Sequence, residues 1–271
     1  MIKDITIGQF FPGRSFIHRL DARTKIVLTL VFLVFIFVCK NFWSLGLVCL
    51  FSWVTYFASR LSPKLVLKSL KPLIPIVLLT TLLQIYYIKD GNLLFEWKFI
   101  SITDKGIYMA IFIAVRIFTL LLVSSLLTYT TSPTDLTDAI EKLLSPLKLF
   151  KIEVHTFAMM MTIALRFIPT LIDEIDRIMS AQKARGADFE NGSLIKRVKA
   201  LVPIFIPLFI SAFKRAIELA DAMSCRCYTG GEGRTRMRLM KFSWRDGVAT
   251  AVTVIVCGGS IILNFYFEHL I

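Results

Sequence analysis

The 271-residue sequence contains little charge: 19% of its residues are Asp, Glu, Lys or Arg, whereas soluble domains average about 25%. Hydrophobic residues make up 56% of the chain, and its mean hydropathy is +0.69. So apolar a composition excludes a disordered chain, a collagen-like fibre and a small disulfide scaffold. It indicates an integral membrane protein with a substantial polar part.

Several chemical motifs are also missing. Cys225 and Cys227 have no second cysteine pair and no histidine near them, which argues against a zinc site or a disulfide framework. The three histidines are isolated, so no metal site is predicted. The glycine-rich segment 230–236 lacks the Gly-Lys-Ser/Thr of a phosphate-binding P-loop. We therefore expect no cofactor in this chain. The first 25 residues contain no apolar stretch typical of a cleavable signal peptide.

The apolar runs predict about five transmembrane helices, since a helix needs about 20 apolar residues to cross a bilayer. Residues 26–58 are too long for one crossing, and Lys40-Asn41 interrupts them, so we expect two short spans joined by a tight turn. A re-entrant pair is the alternative. The N-terminal membrane domain, residues 1–130, is then predicted to hold four spans, and residues 247–271 to hold the fifth. The four spans are about 24–39, 42–58, 72–88 and 107–128.

The distribution of basic residues predicts the orientation. Segments 1–25 and 59–71 carry nine lysines and arginines, whereas the segments on the other side of the spans carry four. Because cytoplasmic segments are enriched in Lys and Arg, we expect a multi-pass protein of the cell membrane with its N-terminus in the cytoplasm. The last span then leaves the C-terminus outside.

Residues 131–246 contain more than half of the basic and of the acidic residues. Charged stretches alternate there with apolar ones that are short or interrupted by proline. This pattern predicts long amphipathic helices on the cytoplasmic side, partly immersed in the membrane. The fold class is therefore an all-α integral membrane protein, in which a bundle of about five transmembrane helices is joined to long amphipathic cytoplasmic helices.

Three helices are predicted in this region, over about 132–144, 154–184 and 204–224. The second ends at Ala184-Arg185-Gly186 and the third at Cys225-Arg226-Cys227, so each ends in an arginine between two small residues. Small residues allow another protein to approach the backbone, and the arginine fork can then bind carboxylates or helix-end carbonyls. An ordinary helix end with a favourable charge is the alternative interpretation.

With these motifs in order, the chain resembles the transmembrane T component of energy-coupling factor (ECF) transporters, the EcfT/CbiQ family. His18–Lys25 resembles the motif that precedes the family's first span. Ala184-Arg185-Gly186 matches its first coupling motif, and Arg226 within Ala222–Tyr228 matches the second. Gly230–Thr235 matches the glycine-rich tail that follows. The resemblance covers nearly the whole chain.

The resemblance implies a non-catalytic coupling subunit of an ABC-type uptake transporter. Two ABC-type ATPase subunits are expected to bind the cytoplasmic helices through Arg185 and Arg226. A membrane-embedded S component is expected to bind the vitamin or other micronutrient and to pack on the chain's apolar surface. The lipid bilayer is the remaining partner, and no nucleic acid is expected, because the basic residues are interleaved with acidic ones.

The second motif departs from the family, which usually has Ala-Arg-Gly where this chain has Cys225-Arg226-Cys227. Cysteine adopts the left-handed conformation less readily than glycine, so we expect this helix to end differently from the first. A redox role for the cysteine pair is an alternative that the usually reduced state of cytosolic thiols disfavours.

Arg116 and Arg166 lie in apolar surroundings, where an ionisable group is a candidate for function. The structural alternative is that Arg116 pairs with a backbone carbonyl of its own bundle and that Arg166 anchors the inner interface. Two other functions stay open on the sequence alone. A self-contained secondary transporter needs a polar site at the midplane, and a membrane-embedded lipid-modifying enzyme needs clustered acids or histidines near the headgroups.

Overall fold

The computed structural model describes residues 10–88, 93–97, 100–151, 153–187, 194–230 and 240–266. Within them it contains nine α-helices and one two-stranded antiparallel ribbon. This confirms the prediction of an all-α membrane class, with the short ribbon as an addition. The elements are α1 Ala22–Val38, α2 Phe42–Ala58, α3 Pro63–Leu70, α4 Ile74–Tyr87, β1 Leu93–Trp97, β2 Ile100–Thr103, α5 Asp104–Thr130, α6 Pro133–Leu143, α7 Val154–Ala184, α8 Leu194–Cys225 and α9 Trp244–Tyr266.

The chain divides into two compact units. The first, called the bundle here, comprises Gln9–Leu136 and Met240–Ile271 and contains α1 to α5 and α9. The second, called the α7–α8 unit, lies within Thr137–Leu239 and contains α7 and α8.

In the bundle, α5 packs against α1, α2, α3 and α4, while α9 packs against α1 and α2. The long apolar α5 can contact so many helices because its 27 residues extend roughly 40 Å. Its Phe112 joins the main core, and its Leu122 packs with Tyr56 and Val66 in a second cluster. The main core is completed by Phe32, Ile36, Cys39, Leu45, Val48 and Cys257.

The helices α1 and α2 have 17 residues each and are joined by the three residues 39–41. Each is roughly 25 Å long, close to the thickness of the hydrocarbon core. Asp21 caps α1, because its side chain accepts a hydrogen bond from the Arg23 backbone N–H. The two elements lie where the sequence predicts two short helices and a tight turn.

The segment between the predicted spans 42–58 and 72–88 contains a further helix that the sequence did not predict. Residues 63–70 form α3, and a 3₁₀ turn over Lys71–Leu73 connects it to α4. Pro72 and Pro75 interrupt the regular hydrogen bonding at this point because neither has a backbone N–H. The short helix is stabilised by burial of Val66, which is 5% exposed.

The predicted start of the third amphipathic helix at residue 204 is also wrong. Helix α8 begins at Leu194 and contains both Pro203 and Pro207. Each proline removes one backbone hydrogen bond, but the 32-residue helix keeps the bonds on either side of them. Helix α7 contains Pro169 and covers the predicted range, 154–184.

Four helical stretches are long and apolar enough to cross a membrane, namely Pro63–Tyr87, Asp104–Thr130, Val154–Ala184 and Trp244–Tyr266. Phe42–Ala58 is a shorter apolar helix. Many large apolar side chains on these helices are exposed, as lipid-facing residues are. In α4, for example, Ile74, Leu78 and Leu82 are all more than half exposed.

Candidate functional site

The end of α7 is a Schellman motif centred on Gly186. The Gly186 N–H donates to the Lys183 carbonyl, and the Ala187 N–H donates to the Gln182 carbonyl, both at 3.0 Å. Gly186 has φ +86°, the left-handed conformation that this motif requires. Arg185 is the C-cap residue, and Ala184, Arg185 and Gly186 are all exposed.

The end of α8 has the same hydrogen-bonding pattern. The Cys227 N–H donates to the Ser224 carbonyl at 2.9 Å, and the Tyr228 N–H donates to the Met223 carbonyl at 3.0 Å. Arg226 again precedes the left-handed residue, and Cys225, Arg226 and Cys227 are exposed.

The expectation that the second helix ends differently is therefore wrong. Cys227 adopts φ +55°, in the left-handed region, in place of the glycine found at the first end. This conformation costs a residue with a Cβ roughly 1–2 kcal/mol. The two bonds of the Schellman motif and the exposed position of Cys227, where no core packing is disturbed, offset that cost. Both cysteines are free thiols in the structure.

An ion pair between α7 and α8 relates the two ends. Arg215 Nη2 lies 2.9 Å from Glu174 Oε2. The two residues are 41 positions apart, as Arg185 and Arg226 are, so each stands eleven residues before the arginine of its own helix end. At 1.5 Å per residue, each arginine lies about 16 Å along its helix from the ion pair. The two helices thus present equivalent ends at equal distances from a shared contact.

A buried polar network connects α1, α5 and α9 in the bundle. Asp246, which is 3% exposed, accepts hydrogen bonds from the Asp21 N–H at 2.8 Å and the Ser243 N–H at 2.7 Å. The ammonium of Lys25, a residue that is 7% exposed, donates to the Thr130 carbonyl at 2.9 Å. These contacts hold the starts of α1 and α9 against the end of α5.

Arg23 and His18 extend this network toward the surface. The Arg23 guanidinium donates to Asp21 Oδ2 at 2.8 Å and lies 4.5 Å from the centre of the Phe242 ring. His18 Nε2 donates to the Phe11 carbonyl at 3.0 Å, and its Nδ1 accepts from the Ser15 hydroxyl at 2.7 Å. Burial lowers the pKa of His18 more strongly than the Phe11 carbonyl raises it. This shift favours the neutral ring.

No role was predicted for Asp21 and Lys25, which lie in the motif His18–Lys25, or for Asp246. Two sequence signals point to them. A lysine four residues after a helix-capping aspartate is unusual at the start of an apolar helix. An aspartate in the first turn of the last apolar helix is a typical capping residue. That the two elements meet is visible only in the fold.

Arg116 contacts the turn between α1 and α2. Its guanidinium donates to the carbonyl of Cys39, the C-cap residue of α1, and lies 4.6 Å from the centre of the Phe112 ring. Asn264 holds the same turn from α9: its Oδ1 accepts from the Lys40 N–H at 3.1 Å, and its Nδ2 donates to the Val38 carbonyl at 2.8 Å. In the structure Arg116 thus satisfies a helix-end carbonyl.

Arg166 is exposed in the middle of α7 and is distant in sequence from both Arg185 and Arg226. Within the described residues, no group of three or more His, Cys, Asp or Glu side chains is arranged to hold a metal ion. The structure therefore brings the candidate residues together as two separate sets. The six residues of the two helix ends are exposed on the α7–α8 unit, whereas Arg116 lies within the bundle.

Comparison with known proteins matches this architecture to one family. The model of the CbiQ family, described as cobalt transport protein, matches residues 13–237. The energy-coupling factor transporter transmembrane protein EcfT of Ruminiclostridium cellulolyticum is 52% identical over 267 residues, which cover 98% of this chain and 100% of the relative. The EcfT proteins of Clostridium kluyveri and Bacillus subtilis are 51% and 45% identical, and they cover 95% and 94% of this chain.

These matches extend over both the bundle and the α7–α8 unit, including both helix ends. They confirm the resemblance noted in the sequence. The chain therefore belongs to the CbiQ/EcfT family, the transmembrane components of energy-coupling factor transporters.

Proposed function

We propose that the chain couples ATP hydrolysis by two ABC-type ATPase subunits to the movement of a membrane-embedded S component that imports a vitamin or other micronutrient. The observation that carries this proposal is the pair of equivalent helix ends on α7 and α8. Each end exposes an arginine at the C-cap of a Schellman motif. Two equivalent ends suit two related partner subunits.

The geometry of each end favours a protein partner. The left-handed residue after Arg185 or Arg226 turns the chain away from the helix axis, so the arginine stands at the helix tip. An added Cβ at Gly186 would meet no atom within 4 Å, so the backbone there is open to a partner's surface. A guanidinium in that position can form two parallel hydrogen bonds with a carboxylate.

The S component is proposed to dock on the apolar faces of α7 and α8. Phe157, Phe205, Phe209 and Phe213 are each more than half exposed. Met160 and Met161 add flexible apolar surface, which can adapt to different partners. In this proposal the chain itself performs no catalysis, its N-terminus is cytoplasmic and its C-terminus lies outside, and ATP is bound by the partner subunits.

The test is a detergent pull-down of the tagged chain with its bound proteins identified. The variants are the wild type, Arg185→Glu/Arg226→Glu, and the control Arg177→Glu/Lys214→Glu. The control makes the same change of charge on exposed residues of the same helices, away from their ends. We expect two P-loop ATPase chains and a small apolar protein with the wild type and the control, and loss of the ATPases alone from the Arg185→Glu/Arg226→Glu variant.

The proposal fails if the wild type is stable and monodisperse but comes down alone, and a self-contained transporter then becomes the hypothesis to test. It also fails if the control loses the ATPases as completely as the helix-end variant does. Single substitutions sharpen the result: if each arginine serves one ATPase, Arg185→Glu and Arg226→Glu should each reduce the recovered ATPase by about half, as two sites acting independently require.

A further inference from the structure

Helix α3 has two sharply different faces. Val66 packs with Tyr56 and Leu122, and the Ser69 hydroxyl is hydrogen bonded to the Tyr129 hydroxyl of α5. The opposite face carries two exposed lysines, and a third exposed lysine is the C-cap residue of α3; the three lie within an arc of about 60°, given 3.6 residues per turn. These residues, called the α3 lysine face here, are Lys64, Lys68 and Lys71.

The charge of this face is not neutralised by the chain. Residues 22–88 contain no Asp or Glu. In the described part of the chain, none of the three lysines forms an ion pair within 4.0 Å. Arg23, by contrast, is paired with Asp21 in the same unit. Three like charges within two helical turns repel each other, so an anionic ligand is favoured at this face.

The position of the lysines along the chain places them at the edge of an apolar surface. Lys71 is the last charged residue before the uncharged run 72–88. The exposed apolar side chains of α4 begin at Ile74, which is 57% exposed. Leu67, between the lysines, is 67% exposed. A basic helix face that carries an exposed leucine and continues into an apolar helix is typical of the membrane–water interface.

We propose that the α3 lysine face binds the headgroups of anionic phospholipids. Lysine suits this ligand because its flexible stem can lie along apolar surface while the ammonium reaches a phosphate. A fixed carboxylate on a partner protein is better matched by the planar fork of arginine. The bound lipid would anchor α3 at the bilayer surface and so hold the part of the bundle where α3 packs against α5. This inference does not depend on the proposed coupling of ATPases.

The test uses the purified full-length chain in phosphatidylcholine bilayers that contain a trace of spin-labelled lipid, either phosphatidylglycerol or phosphatidylcholine. The fraction of label immobilised by the protein gives the preference for the anionic lipid. Lys64→Gln/Lys68→Gln removes two charges from α3. Lys40→Gln/Lys105→Gln removes two exposed charges, next to α2 and at the start of α5. Lys64→Arg/Lys68→Arg keeps the charge and controls for folding.

We expect the wild type to prefer phosphatidylglycerol and the preference to fall when salt is raised. Lys64→Gln/Lys68→Gln should reduce it by about threefold or more, since each lysine near an anionic surface contributes to binding. The Lys40→Gln/Lys105→Gln and arginine variants should keep it. The proposal is overturned if the wild type shows no preference, if the preference survives the α3 variant, or if the control variant loses it equally. The proposal is also overturned if Lys64→Gln/Lys68→Gln loses a copurifying acidic protein while its lipid preference stays unchanged, because the lysines would then bind a protein.

Discussion

The bundle and the α7–α8 unit use polar side chains in different places. In the bundle, Asp246, Lys25 and Asn264 connect the ends of helices that are far apart in sequence. In the α7–α8 unit, the ion pair Glu174–Arg215 joins the helices far from their ends, and the arginines at those ends are exposed. Buried side chains are also few there: among the described residues of α7 and α8 they are Val154, Ala158 and Ile204.

The two units therefore depend to different degrees on contacts within the chain. The bundle is stabilised by contacts within the chain, because its helix-end amides and carbonyls are bonded to its own side chains. The surfaces of α7 and α8 remain available to lipid or to another protein. Substitutions of polar residues should therefore change folding in the bundle and assembly in the α7–α8 unit.

The largest expected effect on stability comes from Asp246→Ala. It leaves the buried N–H of Asp21 and the partly buried N–H of Ser243 without their partner and removes a carboxylate from the neighbourhood of Lys25. We expect the free energy of unfolding to fall by about 2–4 kcal/mol, measured by denaturant titration in detergent. The matched control is Asp221→Ala on α8, an exposed aspartate that should change stability by less than about 0.5 kcal/mol. Equal losses from both variants would contradict the comparison.

A smaller loss is expected from Asn264→Leu, a substitution that keeps the number and branching of the side-chain heavy atoms. It removes the bonds to the Lys40 N–H, the Ser44 hydroxyl and the Val38 carbonyl. Because this turn is partly exposed and water can replace some of these bonds, we expect a loss of about 1–2 kcal/mol in the same titration. Thr250→Val on the same helix should cost little, since the Thr250 hydroxyl bonds only within its own helix, to the Asp246 carbonyl. If Thr250→Val costs as much as Asn264→Leu, the turn is not held by Asn264.

Much of the fold could be predicted because apolar runs are local signals. The turn at Lys40-Asn41, the start of α6 and the range of α7 all follow from patterns within a few residues. Helix α3 was missed because Lys64, Lys68 and its C-cap residue Lys71 resemble a polar loop, although Val66 and Leu70 lie on its buried side. The contact of Asn264 with residues 38–44 joins positions more than 200 residues apart, and no local pattern encodes it.

At the two candidate helix ends, local patterns predicted where each helix stops but predicted the wrong conformation for the second end. They disfavoured the left-handed backbone that Cys227 adopts. The conformation is set by the two hydrogen bonds that close the helix end, and these outweigh the preference of a single residue. The two ends thus have different residues, Gly186 and Cys227, in the left-handed position but the same hydrogen-bonding pattern. The residue at each end can therefore be exchanged experimentally for that of the other.

The exchange predicts opposite changes in local stability of about 1 kcal/mol. Cys227→Gly should stabilise the last turn of α8, because glycine adopts φ +55° without steric cost. Gly186→Cys should destabilise the last turn of α7, because cysteine is strained at φ +86°. No atom lies within 4 Å of the added Cβ, so the change measures the backbone strain and not a clash. Hydrogen exchange of the amides in each last turn measures the change, expected to be about fivefold in protection. Changes of the same sign at both ends would show that the ends are not equivalent.

The smallest expected effect is that of the ion pair between α7 and α8. The side chains of Arg215 and Glu174 are 35% and 25% exposed, so water screens their attraction. A double-mutant cycle with Glu174→Gln and Arg215→Gln should give a coupling energy of about 0.5 kcal/mol, far below the loss expected for Asp246→Ala. A coupling energy above about 2 kcal/mol would make this ion pair as strong as the buried polar contacts of the bundle and would contradict the distinction between the two units. A small coupling energy instead means that their own polar contacts hold α7 and α8 together only weakly, as the proposed positioning of their ends by partner subunits requires.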